Sequence, residues 1–114
     1  MRHVLLLDLV NDEAAIAAYR QWHRPGGPPE AITRAIRSAG IVDMEIWQVG
    51  NRLAMVMETE EGFDAAAKAE QDADDPEVQA WESLMDGFQR RLAFAPPGVK
   101  WMPAERIYAL TEQP

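Results

Sequence analysis

Cysteine is absent from the 114 residues. That excludes disulfides and thiolate metal centres. Histidine occurs only twice, so an imidazole-rich zinc site would need carboxylates to complete it. Basic residues number 11 against 19 acidic ones, a net charge of −8. No Lys/Arg cluster interrupts that balance, which argues against a nucleic-acid partner. No apolar run approaches the length needed to cross a bilayer. The opening run from Val4 to Leu7 meets Asp8 early and has no small-residue cleavage pattern, so it does not read as a signal peptide. Internal repeats and low-complexity tracts are also missing. These features lead to the expectation of one soluble, cytoplasmic domain over residues 1–114.

Apolar residues make up 47% of the chain, enough for a modest core. Val4 to Val10 has the length of a strand. Asn11 or Asp12 can cap a helix that runs to His23. Three prolines and two glycines between Arg24 and Pro29 make a loop. A second helix is expected from Glu30 to Ala39, with Ile32, Ala35, Ile36 and Ala39 on one stripe and Gly40 as its stop. Ile41 to Gln48 and Leu53 to Thr59 read as paired strands around Gly50-Asn51. Alternation puts Val42, Met44 and Ile46 on one face of the first of these, and Asp43, Glu45 and Trp47 on the other. Helices follow at 60–69 and 76–92, the second capped by Asp75 with Pro76 at its start. A last strand is expected at 101–110. The order implies an α+β, ferredoxin-like sandwich: a four-stranded antiparallel sheet with helices on one face. The mixed face of Asp43, Glu45 and Trp47 calls for a cover, and a second copy of the chain supplies one with closed symmetry.

The chemistry concentrates at Tyr19 and His23. Four residues apart on a helix, they share a face at its C-terminal end, beside the Pro/Gly loop. A histidine can exchange protons near neutral pH, and a phenol can hold a ligand. The plainer alternative is an interfacial tyrosine and a helix-end histidine. Trp81 is either core or a platform for the apolar face of a sugar, with Glu82 beside it as a hydroxyl acceptor. Asp43 and Glu45 could bind hydroxyls or serve as a base, or simply face solvent. The acidic stretch from Asp72 to Glu77 reads as a capping loop, its spacing being too irregular for calcium.

With these residues in view, the chain resembles the L-rhamnose mutarotase family. The resemblance rests on the opening strand, Tyr19-x-x-x-His23, Ser38-Ala39-Gly40, the strands around Ile46 and Leu53 to Glu58, Gln79-x-Trp81 with Met85, and Glu105-x-Ile107-Tyr108. It implies a dimeric α+β barrel that interconverts the anomers of a 6-deoxy sugar without a cofactor or metal. It also implies His23 as the acid/base and Tyr19 and Trp81 as sugar contacts. The family's strand Tyr falls at Met44 and its second helix Trp at Glu82. The stretch after the histidine, Gly26-Gly27-Pro28-Pro29-Glu30, is longer and lacks a Trp. Met44 and Glu82 therefore join Asp43 and Glu45 as candidate sugar contacts, and the changed set directs the expectation to L-fucose over L-rhamnose. The rival reading is a non-catalytic ligand-binding or regulatory dimer of the same fold.

Overall fold

The computed structural model describes residues 1–114. β1 (Arg2–Leu9) is followed by α1 (Glu13–Trp22) and α2 (Glu30–Ser38), the hairpin of β2 (Ile41–Val49) and β3 (Arg52–Thr59), then α3 (Ala65–Ala73) and α4 (Pro76–Asp86). Two short strands, β4 (Gln89–Arg90) and β5 (Met102–Pro103), both pair with β1. The sheet is antiparallel in the order β2-β3-β1-β4, with β5 also on β1; it keeps the split βαβ arrangement the sequence implied but has five strands and not the four expected. No helix is long and apolar enough to cross a membrane.

Local chemistry sets the helix starts. Asp12 accepts the Ala15 amide (2.9 Å), Asp64 the amides of Ala66 and Ala67 (3.0 and 3.1 Å), and Asp75 those of Glu77 and Val78 (3.0 and 3.4 Å). The Asp64 cap explains why α3 covers 65–73 and not 60–69. Gly62, at φ 83°, holds a left-handed turn that no helix can include. α4 also ends earlier than its apolar stripe suggests, at Asp86. Gln89 and Arg90 turn extended to pair with Leu9 and Asp8.

That pairing reshapes the last strand. β4 takes the end of the β1 edge, so only Met102 and Pro103 find partners there, at Leu6 and Leu5. One more bond follows, from the Ala104 amide to the Val4 carbonyl (2.8 Å). The expected strand over 101–110 is thus reduced to its first residues. Ile107, Tyr108 and Leu110 are exposed on the arm beyond.

One sheet face packs against the helices. Leu7, Leu9 and Leu53 are fully buried there. Leu9, Tyr19, Leu53 and Met85 form the core cluster, flanked by Ile16, Ile46, Trp81, Phe88 and Trp101. A register shift between Ile41 and Asp43 moves Val42 off this face. Val42 is 67% exposed, and Ile41 is buried in its place. The inward row of β2 is therefore Ile41, Met44 and Ile46.

Candidate active site

Between this sheet face and the helices lies a cavity of about 490 Å³, within the usual range of small-molecule sites, roughly 300–1,000 Å³. Its floor is apolar: Met44, Ile46, Met55 and Met57 from the hairpin, Met85 from α4 and Trp101 from the last loop. Its polar groups are few, and most stand at one end. Tyr19 and His23 come from α1, Glu82 from α4, and Gln89 from β4.

α1 ends in a way that presents the histidine. The backbone N–H of His23 turns to the Arg20 carbonyl (3.2 Å) and leaves the Tyr19 carbonyl without its i+4 amide. The His23 side chain takes that place: Nδ1 lies 2.7 Å from the Tyr19 carbonyl oxygen. A carbonyl only accepts, so Nδ1 carries the hydrogen. Nε2 is left as the nitrogen that gains and loses a proton. The ring is held between aromatics, 4.2 Å from the Tyr19 ring and 5.7 Å from Trp81, centroid to centroid. Trp22 meets the other side of Trp81 edge-on at 5.9 Å. The loop behind His23 forms the rim through Pro28. Its fold depends on Gly27, where a Cβ would stand 2.3 Å from the Trp22 carbonyl oxygen.

Tyr19 is 3% exposed and anchored in the core cluster. Burial pushes its phenol pKa up, so it stays neutral at physiological pH. Gln89 Nε2 donates to its hydroxyl oxygen at 3.4 Å, which leaves the phenol proton free to donate to a ligand. Gln89 Oε1 is buried with no partner. Such a group costs about 1–3 kcal/mol when left unpaired, so it is available to accept a hydrogen bond from a ligand at the cavity wall.

Trp81 and Glu82 are half-buried on the cavity wall, as is Met44 on the floor. Asp43 and Glu45 are not brought to this site, which corrects the expectation that they contact the ligand. Both are exposed on the opposite sheet face. Asp43 Oδ1 accepts its neighbour's amide at Met44 (2.9 Å), and Glu45 Oε1 accepts from Trp47 Nε1 (3.3 Å). Strand alternation already requires this: residues flanking Met44 cannot share its face. Sequence reasoning missed Gln89, Thr33 and the paired Lys68 and Asp72, all on the cavity wall. Gln89 was hidden by extending α4 too far. Lys68 and Asp72 were hidden by ending the third helix at residue 69, before Asp72, although their i,i+4 spacing was readable.

Comparison with known proteins places the chain in a family. A sequence model of the L-rhamnose mutarotase family matches residues 2–110. The chain is 48% identical over 107 residues to the L-fucose mutarotase of Xanthomonas campestris pv. campestris, covering 94% of this chain and 86% of that one. The crystal structure of an L-rhamnose mutarotase from Formosa agariphila superposes with a TM-score of 0.69 at 14% identity, covering 96% of this chain and 98% of the other. At that identity the likeness is one of fold. The family model spans nearly the whole chain, and the protein is therefore a member of the L-rhamnose mutarotase family.

Proposed function

We propose that the protein interconverts the α and β anomers of a 6-deoxy-L-hexose, with L-fucose preferred to L-rhamnose, and that His23 Nε2 is the proton-transfer group. The observation that carries this reading is the bond from His23 Nδ1 to the Tyr19 carbonyl. It fixes the tautomer and leaves Nε2 without a protein partner, on a residue that lines a cavity with a neutral phenol and an indole. In the opening direction, the C1–O5 bond breaks, O5 gains a proton and the anomeric O1–H loses one, giving the open-chain aldehyde. Rotation about C1–C2 and closure on the other face reverse both transfers. An imidazole nitrogen can take the proton from O1–H and return it to O5, which suits both halves of this cycle. Tyr19 donates a hydrogen bond to a sugar oxygen, Trp81 covers the apolar face of the ring, and Glu82 accepts from a hydroxyl. Met44 and its apolar neighbours suit the C6 methyl group. No cofactor is needed for these steps.

The preference for L-fucose is supported by the 48% identical relative, whose name is L-fucose mutarotase. Met44 and Glu82 stand where the L-rhamnose pattern has Tyr and Trp, and both lie on the cavity wall. Saturation-transfer NMR on the two anomers of each sugar tests the reading. Faster exchange with L-fucose is expected, and exchange no faster than in buffer refutes it.

We also propose that the working form is a homodimer of the α+β barrel type, joined through the outer sheet face. That face has an apolar centre of Val4, Leu6, Ala54, Val56 and Trp47, of which Trp47 is 63% exposed. Its margin carries charges of both signs, with Arg2 paired to Glu58 and Arg52 to Asp8. A face with an apolar centre and a mixed-charge rim suits contact with its own copy around a two-fold axis.

A further inference from the structure

α4 places its carboxylates where helix physics disfavours them. Glu82 and Asp86 are four residues apart, so two negative charges share one face. Asp86 is also the last helical residue, at the negative end of the helix dipole, and no basic residue stands in that last turn. The compensation arrives from outside the helix. Lys100, in the loop between β4 and β5, extends Nζ to 2.8 Å from Glu82 Oε2 and 2.6 Å from Asp86 Oδ1. Its side chain is only 20% exposed. Burial by itself would lower its pKa. The bonds to Asp86 and Glu82 outweigh that, and the net direction is upward. The next residue, Trp101, is built into the core and lines the cavity, which fixes the loop at this point. The Tyr19 phenol feels both charges, Lys100 lowering its pKa and Glu82 raising it. The clamp reaches the cavity through Glu82, which lines it.

Glu82 lines that cavity, and Lys100 engages its Oε2. An acceptor on a mobile carboxylate would distinguish sugar epimers poorly. One pinned through its other oxygen can favour a single hydroxyl configuration, because a mismatched hydroxyl leaves buried polar groups unpaired. We propose that Lys100 is a positioning residue for sugar recognition: it pins Glu82 so that Oε1 accepts a hydrogen bond from a ring hydroxyl, and it thereby sets the choice between L-fucose and L-rhamnose. Lys100 and Glu82 then act as one unit, and the Glu that stands in place of the family's Trp works only with this lysine. The inference rests on the mutarotase reading.

The test is a double-mutant cycle on anomer exchange, with KM and kcat measured for both sugars. In Lys100→Met, the KM for L-fucose is expected to rise about tenfold with kcat within about threefold of wild type, a loss of one well-placed hydrogen bond. The L-fucose to L-rhamnose ratio should fall in step. Lys100→Arg keeps the charge and should recover most of the KM. Glu82→Gln should match Lys100→Met, and the double variant should be no worse than Glu82→Gln alone, because the two residues serve one contact. A merely structural lysine would lower the melting temperature without this coupling. Glu82→Gln leaves the Lys100–Asp86 bond in place, so its fold is not at risk, and an unchanged KM in that variant overturns the proposal. So do multiplying effects in the double variant. Wild-type protein that exchanges neither sugar overturns the mutarotase reading and this inference with it. Wild-type exchange with an unchanged sugar ratio in Lys100→Met overturns the inference alone.

Discussion

Replacing His23 by Ala removes two things that can be separated. The first is structural. The Nδ1–H bond to the Tyr19 carbonyl is lost, and with it the ring contact to Tyr19 at 4.2 Å. One hydrogen bond contributes about 1 kcal/mol and an aromatic contact about 0.5–1.5 kcal/mol. Water can reach part of this half-exposed position, so the net cost should be roughly 1–2 kcal/mol. For a domain of this size that corresponds to a fall in melting temperature of roughly 4–8 °C. The second is chemical. Without Nε2, anomer exchange should drop by roughly 10²–10⁴-fold, the usual contribution of a general acid/base. His23→Asn distinguishes the two. Its amide N–H can cap the same carbonyl, so about half of the stability should return, while exchange stays as low as in the Ala variant. Melting by circular dichroism reads the first effect and saturation-transfer NMR the second. Exchange within about threefold of wild type in either folded variant would return His23 to a purely structural role.

Trp47→Glu should disrupt self-association, because it replaces a large, exposed apolar side chain of the outer sheet face with a carboxylate. Sedimentation at micromolar protein should show dimer for the wild type and monomer for the variant, and a wild-type monomer refutes the interface. Met44→Tyr should place a phenol on the cavity floor and shift exchange toward L-rhamnose by roughly five- to thirtyfold, about 1–2 kcal/mol of one hydrogen bond; an unchanged ratio removes Met44 from specificity. Stability should hold from neutrality to about pH 10 and fall above it. Tyr19 has a raised pKa as a buried neutral phenol, and Lys100 a raised pKa as a paired cation. Both contributions are therefore complete below the unfolded-state values and lost as pH rises through the folded ones. Urea midpoints at pH 9, 10 and 11 check this, and a midpoint that rises over that range contradicts the sign.

The sequence made the outline of the site legible because its main pieces are local. Tyr19 and His23 sit four residues apart beside a Pro/Gly stop, and Trp81 lies on an unmistakable apolar stripe. The order of elements along the chain followed from periodicity and turn chemistry. What remained hidden depends on competition between distant segments. The shortening of α4 and of the final strand both come from Gln89 and Arg90 taking part of the β1 edge, which no local pattern encodes. The bulge that exposes Val42 is likewise invisible to simple alternation. Lys100 is eighteen residues from Glu82 in the chain and meets it only because the last loop folds back over α4. Asp43 and Glu45 were a different kind of miss: the alternation that put Met44 at the cavity already placed them outside it.

The central claim is that the cavity beside His23 is a catalytic sugar site, and saturation-transfer NMR on the wild-type protein tests it most directly. One anomeric resonance is saturated and the loss at the other is followed, with L-fucose and L-rhamnose at equal concentration and equal protein. Transfer well above the buffer rate is expected for L-fucose and slower transfer for L-rhamnose. L-rhamnose transfer equal to or faster than that of L-fucose would contradict the specificity, and transfer at the buffer rate with both sugars would contradict the catalytic assignment itself.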